Sequence, residues 1–276
     1  MIYIGTAGFS YKDWKGPFYP DEQDKKTMLE YYSSRFPVVE VNSTWHALPS
    51  PRSILSMTHR TPPDFEFILK AYKGLTHAYE DNEQEFQRFR ELIRPMEDHG
   101  KLACVLVQFP WGFKNTQENR SYLKLIRDRL RDQNLVVEFR NENWITDETM
   151  DLLREMNMGF CCVDEPRLKG LVRPHVYLTS SIGYVRFHGR NYKTWWDRKR
   201  ESWERYDYLY SEEELEEWIP RMEELEEKAE STYAIFNNHY HGKAARNAAM
   251  LARMLPSDEV IPLGMDGHSG WLFEDD

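Results

Sequence analysis

The sequence lacks a long hydrophobic run, because no stretch of its 276 residues approaches the ~20 apolar residues of a membrane-spanning helix. Its first ten residues, MIYIGTAGFS, have neither a basic segment nor an apolar core, so we expect no signal peptide. Basic residues are in the minority, since 36 Lys and Arg stand against 46 Asp and Glu and give a net charge of -10. This balance argues against a surface that binds nucleic acid or anionic membrane as a whole, and it leaves room for a local basic cleft.

Cysteine is scarce, and the three present lie in apolar, strand-like runs without CxxC or Cys/His spacing: Cys104, Cys161 and Cys162. We interpret them as reduced core residues of a cytoplasmic protein rather than as redox or metal-binding groups. The sequence also contains no GxxxxGK[ST], and no GxGxxG follows its first strand. The usual nucleotide-binding fingerprints of open α/β sheets are therefore missing.

Strand-like and helix-like segments alternate eight times along the chain. The predicted strands are Met1–Gly5, Val38–Asn42, Phe65–Ala71, Leu102–Phe109, Leu135–Arg140, Gly159–Asp164, Ile182–Gly189 and Thr232–Asn238. Such alternation predicts parallel βαβ units, and eight units in roughly 250 residues favour one closed (β/α)8 TIM barrel over a doubly wound open sheet. We therefore predict a single domain over residues 1–276, in which residues 256–276 form a C-terminal tail and Glu212–Ala229 is one charged helix.

Polar side chains recur in the carboxyl-terminal half of nearly every predicted strand, in register with interior apolar residues. Alternate residues of a strand point to the same side, and this strand parity assigns the following polar residues to the interior: Glu40, Asn42, Lys70, Gln108, Glu138, Arg140, Asp164, Arg186, His188 and Asn237. In a barrel these ends surround one mouth, where active sites lie. The alternative is that some only fill the interior as ion pairs, for example Arg140 with Glu138. Because buried charge is unfavourable unless it is paired or used, the whole set favours a pocket.

Loop residues extend this predicted pocket. His77 follows the third strand, Arg190 follows the seventh, and Asn238 leads into a helix start where Lys243 and Arg246 make an anion site plausible. A metal site could be drawn from five of the polar residues, namely Glu40, His77, Glu138, Asp164 and His188. No HxH or HExxH spacing occurs among these five residues, and we predict no metal ligands.

Residues Asn191–Tyr210 interleave aromatic side chains with basic ones, including Arg198, Lys199 and Arg200. Such a segment can stack nucleobases and follow a phosphate backbone. It can equally pack on itself as a lid over the mouth. Acidic residues within the segment dilute its positive charge, so we favour the lid.

Six segments in chain order resemble the domain of unknown function 72 proteins, the YecE-like group: GTAGFSYKDWKGPFYP, VEVNSTWHALP, ILKAYKGLTH, VEFRNENW, YVRFHGR and FNNHYHGKAARNA. Phe9 and Trp45 depart from the family pattern, which usually has Trp and Phe there, and both swaps keep aromatic bulk. The resemblance implies a TIM barrel and no particular reaction. The fold of this family is similar to the barrels of endonuclease IV and xylose isomerase, which suggests phosphodiester hydrolysis or sugar chemistry by analogy alone.

The residues point to an enzyme that acts on a small anionic substrate, phosphorylated or carboxylated, by acid/base chemistry. Lys70, Arg140, Arg186 and Arg190 would hold the anion, Glu40 or Glu138 would be the general base, and His188 its acid/base partner. Asn42, Gln108 and Asn237 would orient substrate hydroxyls, with His77, Asp164 and Asn238 also contacting substrate. Hydrolase, isomerase and lyase chemistry stay open, and no cofactor or oligomeric state is indicated. The alternatives are a metal-dependent nucleic-acid-processing barrel and a non-catalytic binding protein.

Overall fold

Eight parallel strands pair in chain order and close into one barrel. The structure is a computed structural model, and it describes residues 1–78, 82–197 and 201–256. The strands are β1 (Ile2–Ala7), β2 (Val38–Val41), β3 (Glu66–Lys70), β4 (Leu102–Gln108), β5 (Leu135–Glu138), β6 (Met158–Asp164), β7 (Ile182–Phe187) and β8 (Ser231–Phe236). β8 closes the barrel against β1, with Thr232 opposite Ile2 and Phe236 opposite Thr6. The predicted α/β class and TIM barrel are confirmed, and the predicted tail beyond residue 256 lies outside the described ranges.

Helices follow the strands and cover the barrel. They are α1 (Met28–Ser33), α2 (Ser43–His46), α3 (Pro51–His59), α4 (Lys73–Thr76), α5 (Glu83–Asp98), α6 (Gln117–Arg129), α7 (Asp147–Glu155), α8 (Glu212–Glu216), α9 (Ile219–Lys228) and α10 (Lys243–Met254). The prediction of one helix over Glu212–Ala229 was wrong. Pro220 has no N–H to bond back to Glu216, so the chain breaks there into α8 and α9. Within the described ranges, no helix combines the length and apolar character that crossing a membrane requires.

The barrel interior changes from aromatic to charged along its axis. Near the amino ends of the strands, Tyr233 donates a hydrogen bond to Glu66 Oε2 at 2.7 Å and stacks on Tyr3 with ring centroids 5.1 Å apart. The three cysteines are buried as free thiols farther along. Because residues opposite each other in a sheet share a face, the register places Cys161 beside Tyr184, inside the barrel, and Cys162 beside Val185, on the helix side.

Candidate functional site at the carboxyl ends of the strands

Arg186 of β7 lies at the centre of a closed charge network. Its Nη2 is 2.6 Å from Glu40 Oε1, and its Nη1 donates to Glu138 Oε2. Tyr184, two residues earlier on the same face, donates from its hydroxyl to Glu40 Oε2 at 2.8 Å. All four side chains are buried. The arginine predicted to hold a substrate anion therefore binds two carboxylates of the protein itself.

The positive charges around Glu138 decide its protonation state. Burial alone would raise its pKa, but the guanidinium groups of Arg140 and Arg186, together with His188, lower the pKa of Glu138 well below its usual range. The carboxylate is thus ionised and ion-paired at neutral pH. A base held this way is weak, because accepting a proton would break both of its ion pairs.

Arg140 extends the network toward the rim of the barrel. Its Nε lies 2.5 Å from Glu138 Oε1, and its Nη1 donates to Glu165 Oε2 at 3.1 Å. The other oxygen of Glu165 accepts the backbone N–H of Val172 at 3.1 Å. Glu165 directly follows β6, and sequence parity did not identify it as a site residue. Arg140 keeps 12% of its side chain exposed, so its remaining nitrogen can reach a ligand in the mouth.

Burial raises the pKa of Glu165 to about 8, since the charge of nearby Arg140 offsets only part of the lost hydration and Glu138 adds to the rise. The native state therefore binds this proton more tightly than the unfolded chain, whose pKa stays near 4.5.

This pKa predicts a pH-dependent stability. Between pH 4.5 and pH 8 the native state holds more protons than the unfolded state, so stability falls as pH rises, by at most about 1.4 kcal/mol per pH unit from this one group. Glu165→Gln, which cannot ionise, is expected to flatten that slope. Urea unfolding of both proteins at pH 5, 6, 7 and 8 measures the free energy of unfolding. If this free energy depended on pH in the same way in both proteins, the assignment of the slope to Glu165 would be contradicted.

His188 is held in one orientation by two polar neighbours. Its Nδ1 lies 3.0 Å from the Asn237 side-chain amide nitrogen, and its Nε2 lies 3.3 Å from Glu138 Oε1. Burial and the charge of Arg140 lower the pKa of His188 to about 3, against the opposing pull of Glu138. The imidazole is neutral at pH 7, so its Nδ1 can accept from the Asn237 amide. Its Nε2 lies beside Glu138 Oε1 but makes no hydrogen bond within the described part of the chain.

Lys70 differs from the other inward cations of the mouth. Among the described residues, its ammonium group has neither a carboxylate partner nor a hydrogen bond, and it lies 5.4 Å from the centroid of the Trp45 ring. Burial and the charge of Arg186 lower the pKa of Lys70 to about 8, although nearby carboxylates oppose the shift. Its backbone is fixed, because Thr44 of α2 donates to the Lys70 carbonyl at 2.6 Å.

The wall beside Lys70 carries polar atoms without protein partners. Within the described part of the chain, the buried Asn42 Oδ1 and Trp45 Nε1 make no hydrogen bond. His77 packs edge-on against Trp45, with ring centroids 5.1 Å apart, and its Nδ1 lies 2.8 Å from Thr76 Oγ1. The surrounding protein and the charge of Lys70 lower the pKa of His77. Short helices α2 and α4 position this wall, and neither helix was predicted from the sequence.

Aromatic side chains cover part of the mouth. Tyr206, at the end of the 3-10 helix Ser202–Tyr206, lies 6.2 Å from the ring of His188 and 5.9 Å from that of His239. Tyr11, from the loop after β1, stacks on His239 at 4.7 Å with the rings parallel within 1°. These contacts bring aromatic side chains of the segment to the mouth, and its action as a lid stays a prediction. Residues 198–200 of the segment lie outside the described ranges.

Asp164 does not face the mouth, so its placement by parity was wrong. It stands opposite Phe187, whose ring packs on Trp218 in the helix layer. Asp164 accepts hydrogen bonds from Trp218 Nε1 at 2.7 Å, from the Tyr210 hydroxyl at 2.8 Å and from Arg190 Nη2 at 2.8 Å. Arg190 also contacts Glu217 at 3.0 Å. Arg190, predicted to bind an anion, is therefore paired with carboxylates of the chain.

Two predicted amide ligands mainly hold the backbone. Gln108 donates from its side chain to the carbonyl of Phe109 at 2.6 Å. Asn238 is buried and donates to the Tyr208 carbonyl at 2.9 Å and to Asn247 Oδ1 at 2.8 Å. Asn238 thus attaches the end of β8 to the segment that approaches the mouth, and Gln108 shapes the exit from β4.

The start of α10 does not supply the predicted anion site. Lys243 pairs with Asp207 of the lid segment. Arg246 lines an outer cavity of about 390 Å³ together with Glu212 and Glu216. Lys243 thus connects the start of α10 to the segment before α8, and Arg246 lies on the helical surface beside α8.

The five residues considered as metal ligands are not all brought together, because Asp164 faces the helix layer and Arg186 stands between Glu40 and Glu138. In the described ranges, no three His, Cys, Asp or Glu side chains converge in a geometry that could hold a metal ion.

The family model described as "Protein of unknown function DUF72" matches residues 3–266. The chain belongs to the DUF72 family. This DUF72 chain is 32% identical over 270 residues to UPF0759 protein YunF of Bacillus subtilis (strain 168), covering 92% of the chain and 95% of that protein. It is also 35% identical over 77 residues to UPF0759 protein YecE of Escherichia coli (strain K12), covering 28% of the chain and 26% of that protein.

Solved DUF72 structures share the barrel. A DUF72 family protein (TM1631) from Thermotoga maritima MSB8 is 40% identical, with a TM-score of 0.86 over 92% of this chain and 98% of that one. A DUF72 family protein (EF0366) from Enterococcus faecalis V583 is 28% identical, with a TM-score of 0.83 over 92% and 95% of the two chains. The resemblance inferred from the six motifs is confirmed.

Proposed function

We propose that this DUF72 protein is an enzyme that binds a small phosphorylated or carboxylated substrate at the barrel mouth and acts on it by acid/base chemistry. One observation carries the proposal: the Lys70 ammonium group faces the mouth without a partner among the described residues, beside the unpartnered Asn42 Oδ1 and Trp45 Nε1. The Lys70 ammonium group and the Trp45 N–H are donors that suit an anion, whereas Asn42 Oδ1 is an acceptor that suits a hydroxyl of the same substrate.

The charge balance of the mouth supports an anionic ligand. Three carboxylates and three cations meet there: Glu40, Glu138 and Glu165 with Arg140, Arg186 and Lys70. Glu165 takes up a proton more readily than an ordinary carboxylate, because its pKa is raised to about 8. With Glu165 protonated, the charges of Glu40 and Glu138 are balanced by Arg140 and Arg186. The positive charge of Lys70 is then available to an anionic substrate.

The groups that titrate near neutrality are the best candidates for proton transfer. Lys70 and Glu165 both have a pKa of about 8. Glu138 and His188 are fixed by their partners, so the roles predicted for them as base and acid are less favoured than a role in positioning Arg140. Glu40 is held in the same way, because Arg186 and Tyr184 donate to its two oxygens, so its predicted role as a base is also less favoured. Hydrolysis, isomerisation and elimination all remain compatible with this set.

Anion binding is tested by thermal unfolding at pH 7 with increasing pyrophosphate. The melting temperature of the unmodified protein is expected to rise with concentration, since a ligand present at 100 times its Kd stabilises by about 2.7 kcal/mol. Lys70→Met is expected to weaken binding at least roughly tenfold, because one charge-assisted contact contributes more than about 1.4 kcal/mol. The control is Lys228→Met, which removes an exposed lysine paired with Glu224 on α9. Equal stabilisation of all three proteins would contradict the proposal.

A second candidate function rests on two exposed tryptophans at the rim. Trp111 and Trp196 are 42% and 49% exposed, their rings are 6.0 Å apart, and Lys114 lies 5.5 Å from the Trp111 ring. Aromatic faces beside a cation can stack the bases of a single strand. A nucleic-acid-processing barrel predicts oligonucleotide binding that weakens steeply with salt and that Trp111→Ala reduces. Salt-insensitive or undetectable binding would remove this candidate.

A further inference from the structure

We propose that Lys70 is a nucleophilic amine, and that the substrate class is a small anion bearing an aldehyde or ketone group with which Lys70 forms a Schiff base. The inference rests on the proposed anion-binding function and deepens it by naming the reacting atom. It goes beyond a binding role because it requires the amine to be neutral, accessible and held still.

The surroundings of Lys70 leave its nitrogen free to react. Arg140, Arg186 and Arg190 are each paired with at least one carboxylate. In the described ranges Lys70 has no such partner, and its nitrogen lies over the face of Trp45, 5.4 Å from the ring centroid. An aromatic wall accepts an amine in either protonation state, whereas a carboxylate would hold it as ammonium.

The backbone holds this nitrogen at a defined place. Lys70 is the last residue of β3 and stands opposite Leu106 of β4. Its carbonyl accepts the Thr44 hydroxyl, and the next residue, Ala71, donates its N–H to the Leu106 carbonyl at 2.9 Å. Nucleophiles on rigid strand ends are positioned more accurately than those on loops.

Burial and the positive charge of Arg186 favour the neutral amine, and the lowered pKa of about 8 supports the geometric argument. At pH 7 roughly one tenth of such amines is neutral, against fewer than about one in a thousand for an ordinary lysine. The positive field that lowers this pKa also attracts an anionic substrate.

The step itself needs no oxidant or reductant. The lone pair of neutral Lys70 Nζ attacks the carbonyl carbon, and the carbon–oxygen π electrons move to oxygen, which takes up a proton. The nitrogen then loses a proton, and the hydroxyl oxygen takes up a second one. The carbon–oxygen bond breaks and water leaves while the nitrogen lone pair forms the carbon–nitrogen double bond, and loss of the last N–H proton gives the imine. His77 lies on the same wall and can relay these protons, while Trp45 Nε1–H is available to the substrate oxygen.

Reductive trapping tests the inference on the full-length, unmodified protein. It is incubated at pH 7 with glyoxylate and sodium cyanoborohydride, and carboxymethylated lysines are located by peptide mapping. Lys70 is expected to react at least roughly tenfold faster than Lys228, since its larger neutral fraction outweighs the lower nucleophilicity of a less basic amine. Added phosphate is expected to slow the labelling of Lys70 and leave that of Lys228 unchanged. Lys70→Arg keeps the positive charge but has no amine to label. This variant is expected to lose the rapidly labelled position, while the labelling of its other lysines is unchanged.

The outcomes separate this inference from the function on which it rests. Fast labelling of Lys70 that phosphate suppresses supports both. Pyrophosphate stabilisation that depends on Lys70, combined with equal labelling rates for Lys70 and Lys228, leaves the anion site standing and overturns the nucleophile. Equal labelling without any anion stabilisation overturns both.

Discussion

Arg186→Met is expected to destabilise the protein by about 3–5 kcal/mol, the largest effect of any single change in the mouth. The substitution leaves Glu40 and Glu138 buried with their shared guanidinium removed. Methionine fills part of the volume but supplies no donor, so at least one carboxylate must be protonated or hydrated in the native state. Urea unfolding at pH 7 measures the loss.

Two further proteins make this test specific to the buried network. Arg60→Met removes a partly exposed arginine that pairs with Glu30 at 2.6 Å, and it is expected to change stability by no more than about 1 kcal/mol. A triple variant that adds Glu40→Gln and Glu138→Gln to Arg186→Met is expected to regain part of the lost stability, because its buried charges are gone. If Arg186→Met and Arg60→Met lowered the free energy of unfolding by the same small amount, the proposed role of Arg186 as the partner of two buried carboxylates would be contradicted.

Asp164→Ala is expected to cost about 3–5 kcal/mol and to loosen the segment that approaches the mouth. The carboxylate accepts from Arg190, Tyr210 and Trp218, and the substitution leaves the buried Tyr210 and Trp218 donors without it. The Tyr210 hydroxyl also accepts the N–H of Gly189, directly before Arg190. Hydrogen exchange of residues 189–191 is therefore expected to accelerate along with the loss of stability.

The matched control for this change is Asp151→Ala. Asp151 pairs with Arg154 at 2.7 Å on the exposed face of α7, and such surface pairs contribute about 0–1 kcal/mol. A loss from Asp164→Ala as small as that of Asp151→Ala would show that Asp164 does not anchor the chain behind the barrel wall.

Strand parity predicted the mouth well where one face of a strand is polar. In β7, Tyr184 and Arg186 alternate with Val185 and Phe187, and the structure places the first pair inside and the second outside. In β6 the residues before Asp164, GFCCV, are apolar on both faces, so their pattern does not show which face points inward. The side chain that enters the network is Glu165, one residue beyond Asp164.

Pairing among the charges could be predicted only in part. The pair of Arg140 with Glu138, considered from the sequence, is present, but spacing did not indicate that the closed barrel brings Arg186 to Glu40 of β2 and Glu138 of β5. Such contacts depend on the curvature and stagger of eight strands, which no local pattern encodes. The same geometry leaves Lys70 without a carboxylate partner among the described residues, although the sequence around Lys70 does not distinguish it from the charged ends of the other strands.

Anion binding through Lys70 at the mouth of this DUF72 barrel is tested most directly by a crystal structure of the protein soaked in tungstate. The anomalous signal of tungsten locates the anion whatever the substrate is. A strong anomalous peak is expected at the carboxyl ends of the strands, within hydrogen-bonding distance of Lys70 Nζ, and it is expected to be lost in Lys70→Met. Occupied anion sites elsewhere on the protein, with none beside Lys70, would contradict anion binding through Lys70.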